Sequence, residues 1–249
     1  MKSDALVVDV TEEWATACDV QQGFMQHFEP RIATLSHSER CRQMRALGGD
    51  CYDFVPLPHN RLGLVVGDAS GKGLAAALMI SSVQSSLRTA ASYAGNDAPA
   101  VLDAVNRQVY ASSLADRYAT LFFGVFDEAG RTLEYVNAGH NPPLVIRGDG
   151  SLDWLETGGV PLGIFPNASY AQGAVQLDSG DLVVVYTDGV IEAANPAGEE
   201  WGIEGLCRVA LESRRQRTDE IVDAIFVSVD EFSRECQADD ATVVVVRMH

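Results

Sequence analysis

The sequence predicts an α+β fold in which two antiparallel sheets pack face to face and helices cover the outside. Three observations predict it. From about residue 118 to 186, short apolar strands follow one another between Gly, Pro, Asp and Asn, the pattern of hairpin-linked antiparallel strands. Helical stretches are grouped before and after that block. The chain closes on ATVVVVR, an uninterrupted β-branched run that suits a strand buried on both faces.

Taken in order, residues 12–27 place Trp14, Cys18, Gln21 or Gln22 and Met25 at helical spacing, and Pro30 marks where that helix has ended. It reads as a leading helix outside the main core. RLGLVVGD (61–68) is a short aliphatic strand, and 73–95 is a helix closed by Gly95, so strand runs into helix through a glycine-rich turn. Asp97 caps a second helix, with Pro99 in its first turn and Val101, Leu102, Val105 and Val109 along one side. YATLFFGVFD, RTLEYVNAG, PPLVIRG, SLDWLE, GAVQL and DLVVVYTDG are the successive strands of the central block. Two more helices are predicted near 203–214 and 218–235, before the closing strand.

A chain of 249 residues, 47% of them apolar, can bury a full core and sits near the upper size of one domain. No repeat or linker divides it, and residues 41–249 read as the domain, with 1–40 as a helical extension with a regulatory or dimerising role. The net charge of −17 repels nucleic acid and anionic lipid, so neither is an expected partner. Five cysteines, odd in number and without a CxxC pair, fit neither a disulfide framework nor a zinc site. The acidic N-terminal segment is unlike a signal peptide and no apolar run approaches bilayer length; the expectation is a soluble, cytoplasmic protein.

Acidic residues recur where a strand meets a turn: GGDCYD (48–53), GDASGKG (67–73), YTDG (186–189) and ADDAT (238–242). Any one Asp-Gly turn reads first as a hairpin loop. Four together, each next to an apolar strand, can converge at one edge of a sandwich and offer oxygen ligands to hard divalent cations. A P-loop is excluded, because only three residues separate Gly67 from Gly71 and Gly73 stands where Ser or Thr should bind Mg²⁺. No GxSxG elbow is present.

GGDCYDF, VVGDASGKGLAAALM, YATLFFGVFD, NAGHNPPLVIR, GGVPLGIF, GDLVVVYTDGVIEAAN and DDATVVVVR follow the order found in the SpoIIE/RsbU-type branch of the PPM (type 2C-like) protein serine/threonine phosphatases, which the chain resembles from about Arg45 to Arg247. The resemblance implies an αββα sandwich with two Mg²⁺ or Mn²⁺ ions at one edge. It implies that Asp68 bridges both ions and that the carbonyl of Ala69 binds one of them. Asp188 and Asp239 would complete the shell of the second ion, and Asp50 would bind the first directly or through water. Asp53 and Asp240 are secondary candidates, as supports or as solvated turn residues.

The resemblance further implies hydrolysis of phosphoserine or phosphothreonine by metal-activated water, in a bacterial partner-switching pathway whose substrate is a STAS-domain antagonist of an anti-sigma factor. Many members of the wider family carry a histidine two residues after the bridging aspartate as an acid for the leaving group; here that position is Ser70, which leaves the proton donor unassigned. His140 is a candidate by residue type and reads first as a hydrogen-bonded turn residue before Pro142 and Pro143. Lys72 and Arg45 are the basic residues nearest the acidic turns, with Lys72 read as loop support. Helix 12–27 is the candidate dimerisation or activator-binding element. The alternatives are a catalytically silent binding module of the same fold and a two-metal hydrolase of small phosphoesters.

Overall fold

The computed structural model describes residues 10–24, 32–94, 97–113 and 116–249. The chain begins with helix α1 (Val10–Phe24) and continues through strands β1 (Leu35–Arg42), β2 (Asp50–Leu57) and β3 (Arg61–Ala69) to helices α2 (Leu74–Ala94) and α3 (Ala98–Ser112). Strands β4 (Ala119–Asp127), β5 (Thr132–Ala138), β6 (Leu144–Ile146), β7 (Leu152–Trp154), β8 (Gly158–Gly159), β9 (Gly173–Gln176) and β10 (Leu182–Tyr186) form the central block. Helices α4 (Asp188–Ile191), α5 (Gly202–Ser213) and α6 (Thr218–Ser233) precede the last strand, β11 (Ala241–Met248).

These strands make two sheets, in the orders β1-β11-β10-β6-β7 and β2-β3-β4-β5-β8, with β9 added to β5. All pairings are antiparallel except the two-residue contact of β5 with β8. Alternation along the strands explains the layering. Leu62, Leu64 and Val66 of β3, Phe122 and Phe126 of β4, Val183 and Val185 of β10, and Val244 and Val246 of β11 meet in the core between the sheets. The residues between them face outward: Val65, Leu121, Phe123 and Val125 pack against α2 and α3, while Val184, Tyr186, Val243 and Val245 pack against α5 and α6. With helices covering both outer faces the architecture is an αββα sandwich, and its inner strands are apolar on both sides, as β11 required.

Two expectations change. The segment before residue 41 is not helical throughout: β1 pairs residue by residue with β11 from Leu35↔Met248 to Arg42↔Ala241, so the boundary drawn at 40/41 falls inside a strand. Its sequence, LSHSERCR, is polar because it is a half-buried edge strand, which hides the alternation that betrays an inner one. YTDG is not a hairpin turn either, since Asp188 opens the short helix α4. The predicted cap at Asp97 is present, accepting from the Ala100 N–H at 3.0 Å. Met25, placed on the leading helix, and Pro30 and Gly95, to which helix ends were assigned, lie outside the described residues.

Candidate metal centre

Asp50 opens β2 and Asp68 lies one residue from the end of β3; the two are register partners, so both carboxylates leave the same face at the same end of one sheet. In the other sheet β10 and β11 pair with Tyr186 opposite Val243, which brings Thr187 level with Thr242 and sets Asp188 and Gly189, at the start of α4, beside Asp239 and Asp240, just before β11. The sheets are tied together there. Asp50, 1% exposed, accepts at Oδ2 from the hydroxyls of Thr187 at 2.7 Å and Thr242 at 2.6 Å, both from the opposite sheet. Asp50, Asp68, Asp188 and Asp239 therefore gather at one edge of the sandwich, with Asp240 beside them.

The electrostatics record this crowding. Burial, then the negative charges of Asp50, Asp188, Asp239 and Asp240, push the Asp68 carboxyl up to about 9. Asp50 is pushed up to about 7 by burial, against the opposing effect of its two threonine hydroxyls and with further repulsion from Asp240 and Asp188. Asp188 is also raised, by burial and then by Asp239, with the Gly189 N–H and Lys72 acting in the other direction. Carboxyls that hinder one another's ionisation are the groups a divalent cation relieves.

Local backbone geometry shapes the site. A Cβ at Gly49 would lie 3.1 Å from the Ala69 carbonyl oxygen and 3.3 Å from Asp68 Oδ1, so glycine keeps open the space beside two oxygens that the resemblance names as ligands. Asp240 accepts from the N–H groups of Met44 and Gly49, each at 2.7 Å, and so fixes the 44–49 loop against the cluster. Lys72 places its ammonium 2.6 Å from Asp239 Oδ2 and donates to the Ala238 carbonyl at 2.8 Å. Among the described residues, no three His, Cys, Asp or Glu side chains are arranged to hold a metal ion as they stand. Hydroxyls hold Asp50, an ammonium holds Asp239 and backbone amides hold Asp240. The oxygen-only donor set, the mutual repulsion and the opening at Gly49 nevertheless suit hard cations such as Mg²⁺ or Mn²⁺.

Other candidates fall elsewhere. Asp53, fully buried, does not face the cluster but takes both oxygens to Arg88 of α2, at 2.6 and 2.9 Å. Ser70 is a strut: its Oγ accepts from the Tyr118 N–H at 3.0 Å and its carbonyl from Arg117 at 2.9 Å. His140 is 4% exposed, bonds through Nδ1 to the hydroxyl of Thr120 at 2.9 Å, and is pushed by burial down to about 4, so its ring is neutral at physiological pH. Arg45 is exposed, with its guanidinium beside Gly73.

Thr187, Thr242 and Gly49 lie within or beside the acidic segments, but nothing in the sequence says that the threonines point at Asp50. Gln21 could be placed on the leading helix, but nothing in the sequence points to its contact. From α1, its amide donates to the Gly48 carbonyl at 2.7 Å and accepts from the Gly48 N–H at 3.2 Å, gripping the residue before Gly49.

The sequence profile of Stage II sporulation protein E (SpoIIE) matches residues 58–249. Protein IcfG of Synechocystis sp. is 27% identical over 254 residues, covering 91% of this chain and 40% of the relative. Phosphoserine phosphatase RsbU of Bacillus subtilis is 27% identical over 242 residues, covering 96% of this chain and 71% of the relative. The chain thus spans about two fifths of the first of these proteins and most of the second. Among solved structures, the SiaA-PP2C domain of Pseudomonas aeruginosa superposes with a TM-score of 0.83 at 21% identity, covering 96% of both chains, and shares the fold.

Proposed function

This chain belongs to the Stage II sporulation protein E (SpoIIE) family, and from that premise we propose that it is a metal-dependent phosphatase of phosphoserine or phosphothreonine on a partner protein. The observation that carries the reading is the convergence of Asp50, Asp68, Asp188 and Asp239 at one edge, with Asp50, Asp68 and Asp188 all resisting ionisation. Asp68 and the Ala69 carbonyl would hold the first ion with Asp50, directly or through water; Asp68, Asp188 and Asp239 would hold the second. When bound, two Mg²⁺ or Mn²⁺ ions supply an activated water and positive charge for the phosphoryl oxygens.

The rest is done by the chain. Thr187 and Thr242 fix Asp50, and the Met44 and Gly49 amides fix Asp240, so the acids are oriented before substrate arrives. Lys72 holds Asp239 in place and adds positive charge to a chain of net charge −17, whose field otherwise opposes a phosphorylated substrate. His140 stays neutral and is not the acid for the leaving group. We assign the substrate, on the resemblance, to a phosphorylated STAS-domain antagonist of an anti-sigma factor in the cytoplasm. We also assign α1 a dimerising or activator-binding role.

The test is Mn²⁺-dependent release of phosphate from a phosphoserine peptide and from a phosphorylated STAS domain, with nucleotides as the comparison. Asp68→Asn and Asp188→Asn, folded by circular dichroism, are expected to lose at least a hundredfold in rate. Undiminished turnover in either variant would overturn the proposed centre, and faster turnover of nucleotides than of phosphoprotein would overturn the substrate class.

A further inference from the structure

At the far end of the β10–β11 pair, four of the chain's sixteen arginines line one cavity of about 370 Å³. Arg147 follows β6, Arg214 and Arg215 follow α5, and Arg247 lies on β11 opposite Leu182, the first residue of β10. Ile146 and Leu182 lie buried beneath it, and Ser179 and Gly180 complete the rim. Asp188 and Asp239 sit at the other end of the same two strands, roughly 20 Å away at about 3.4 Å per residue. This cavity is therefore separate from the acidic edge.

The four guanidiniums are not equally engaged. Arg147 is neutralised by Asp181 at 2.8 Å and Asp153 at 2.7 Å. Arg214 donates to the Leu211 carbonyl at 2.8 Å, and Arg247 to the Arg214 carbonyl at 2.5 Å. Among the described residues, no carboxylate pairs with Arg214, Arg215 or Arg247. Three arginines thus line the cavity without a carboxylate partner among the described residues, in a chain carrying 35 acidic residues. Burial alone lowers the proton affinity of Arg247, the cost of holding that charge without an anion.

We infer that this cavity is a second ligand site, built for the diphosphate or polyphosphate group of a small molecule. Arginine forks match phosphate oxygens two at a time, and three unpaired positive charges balance a diphosphate better than a single carboxylate. The volume lies in the range of small-molecule pockets.

Titration calorimetry of the whole chain in EDTA, at low salt, tests this with inorganic pyrophosphate and a nucleoside diphosphate as probes. EDTA keeps the acidic edge out of the measurement, so the result does not depend on the proposed phosphatase activity. Binding is expected to weaken at least tenfold in the Arg214→Gln/Arg215→Gln double variant, and similarly in Arg215→Glu, which changes an exposed side chain. It is expected to be unaltered in Asp68→Asn. Tighter binding of the nucleotide would identify a nucleoside-borne ligand; equal affinities would identify the free polyphosphate group. No heat with either probe, affinity unchanged in both arginine variants, or binding of an octaglutamate peptide in place of the phosphates would overturn the inference.

Discussion

Asp50 and Asp68 stand directly opposite one another across the β2–β3 ladder, a buried and a half-buried carboxylate on one face where like charges repel. A cation between them turns that repulsion into attraction, and the properties of the site follow from how that happens.

Both carboxyls hold a proton more tightly in the folded chain, Asp50 to about 7 and Asp68 to about 9 from an ordinary 3.8. The folded state then carries more protons than the unfolded one between about pH 4 and pH 9, so these groups make stability fall as pH rises through that window. In EDTA the melting temperature is expected to be several degrees lower at pH 9 than at pH 6, with Asp68→Asn flattening the slope. Millimolar Mn²⁺ should raise it most at high pH, because bound metal displaces those protons; saturation at a hundred times Kd is worth about 2.7 kcal/mol. Scanning fluorimetry across pH, with and without Mn²⁺, measures both trends.

The Lys72 ammonium occupies Asp239 Oδ2, an oxygen that a bound metal would also need, so holding Asp239 in place and competing with metal are two effects of one contact. Lys72→Ala is expected to lower the Mn²⁺ concentration needed for half-saturation by roughly threefold to tenfold, since the pair is half exposed and partly screened. Metal titration followed by fluorimetry reads it, and a higher requirement would show that Lys72 orients Asp239 more than it blocks it.

Gly189 admits no side chain: a Cβ there would fall 2.0 Å from the Asp240 carbonyl oxygen and 3.2 Å from the Asp239 Cβ. Gly189→Ala must push the 239–240 segment away from Asp188. The expected result is a loss of about 2–3 kcal/mol, in the upper part of the overpacking range, with most of the activity gone. Urea unfolding and phosphate release give the two numbers.

Arg88 shields a fully buried Asp53 between β2 and α2, with Gln84 also donating to the same carboxylate at 3.2 Å. Arg88→Met is expected to cost about 2–4 kcal/mol by leaving that charge unbalanced. Adding Asp53→Asn should recover part of the loss, which a double-mutant cycle would show as coupling.

How much of this was legible in the sequence follows from what each residue contacts. The inner strands β3, β4, β10 and β11 announce themselves because burial on both faces demands unbroken apolar runs. The edge strand β1 did not, because Ser36, Ser38, Glu39 and Arg40 satisfy a half-exposed ladder that pattern cannot distinguish from a loop. The four acidic turns were readable as a group, since each adjoins an apolar strand. Their supports were not: the bonds from Thr187 and Thr242 to Asp50 span 137 and 192 residues, and the grip of Gln21 on Gly48 spans 27. Asp53 illustrates the converse, with a position in the motif identical in kind to Asp50 but a side chain on the opposite face of β2, where Arg88 awaits it.

The two hydroxyls that Asp50 receives from the opposite sheet make it a rivet between the halves of the sandwich. Slippage of one sheet past the other by a single residue would break both bonds and separate Asp50 and Asp68 from Asp188 and Asp239. Half-assembled chains, with either sheet formed alone, carry only half of the acids. The acidic edge therefore exists only where both sheets are in place and in register.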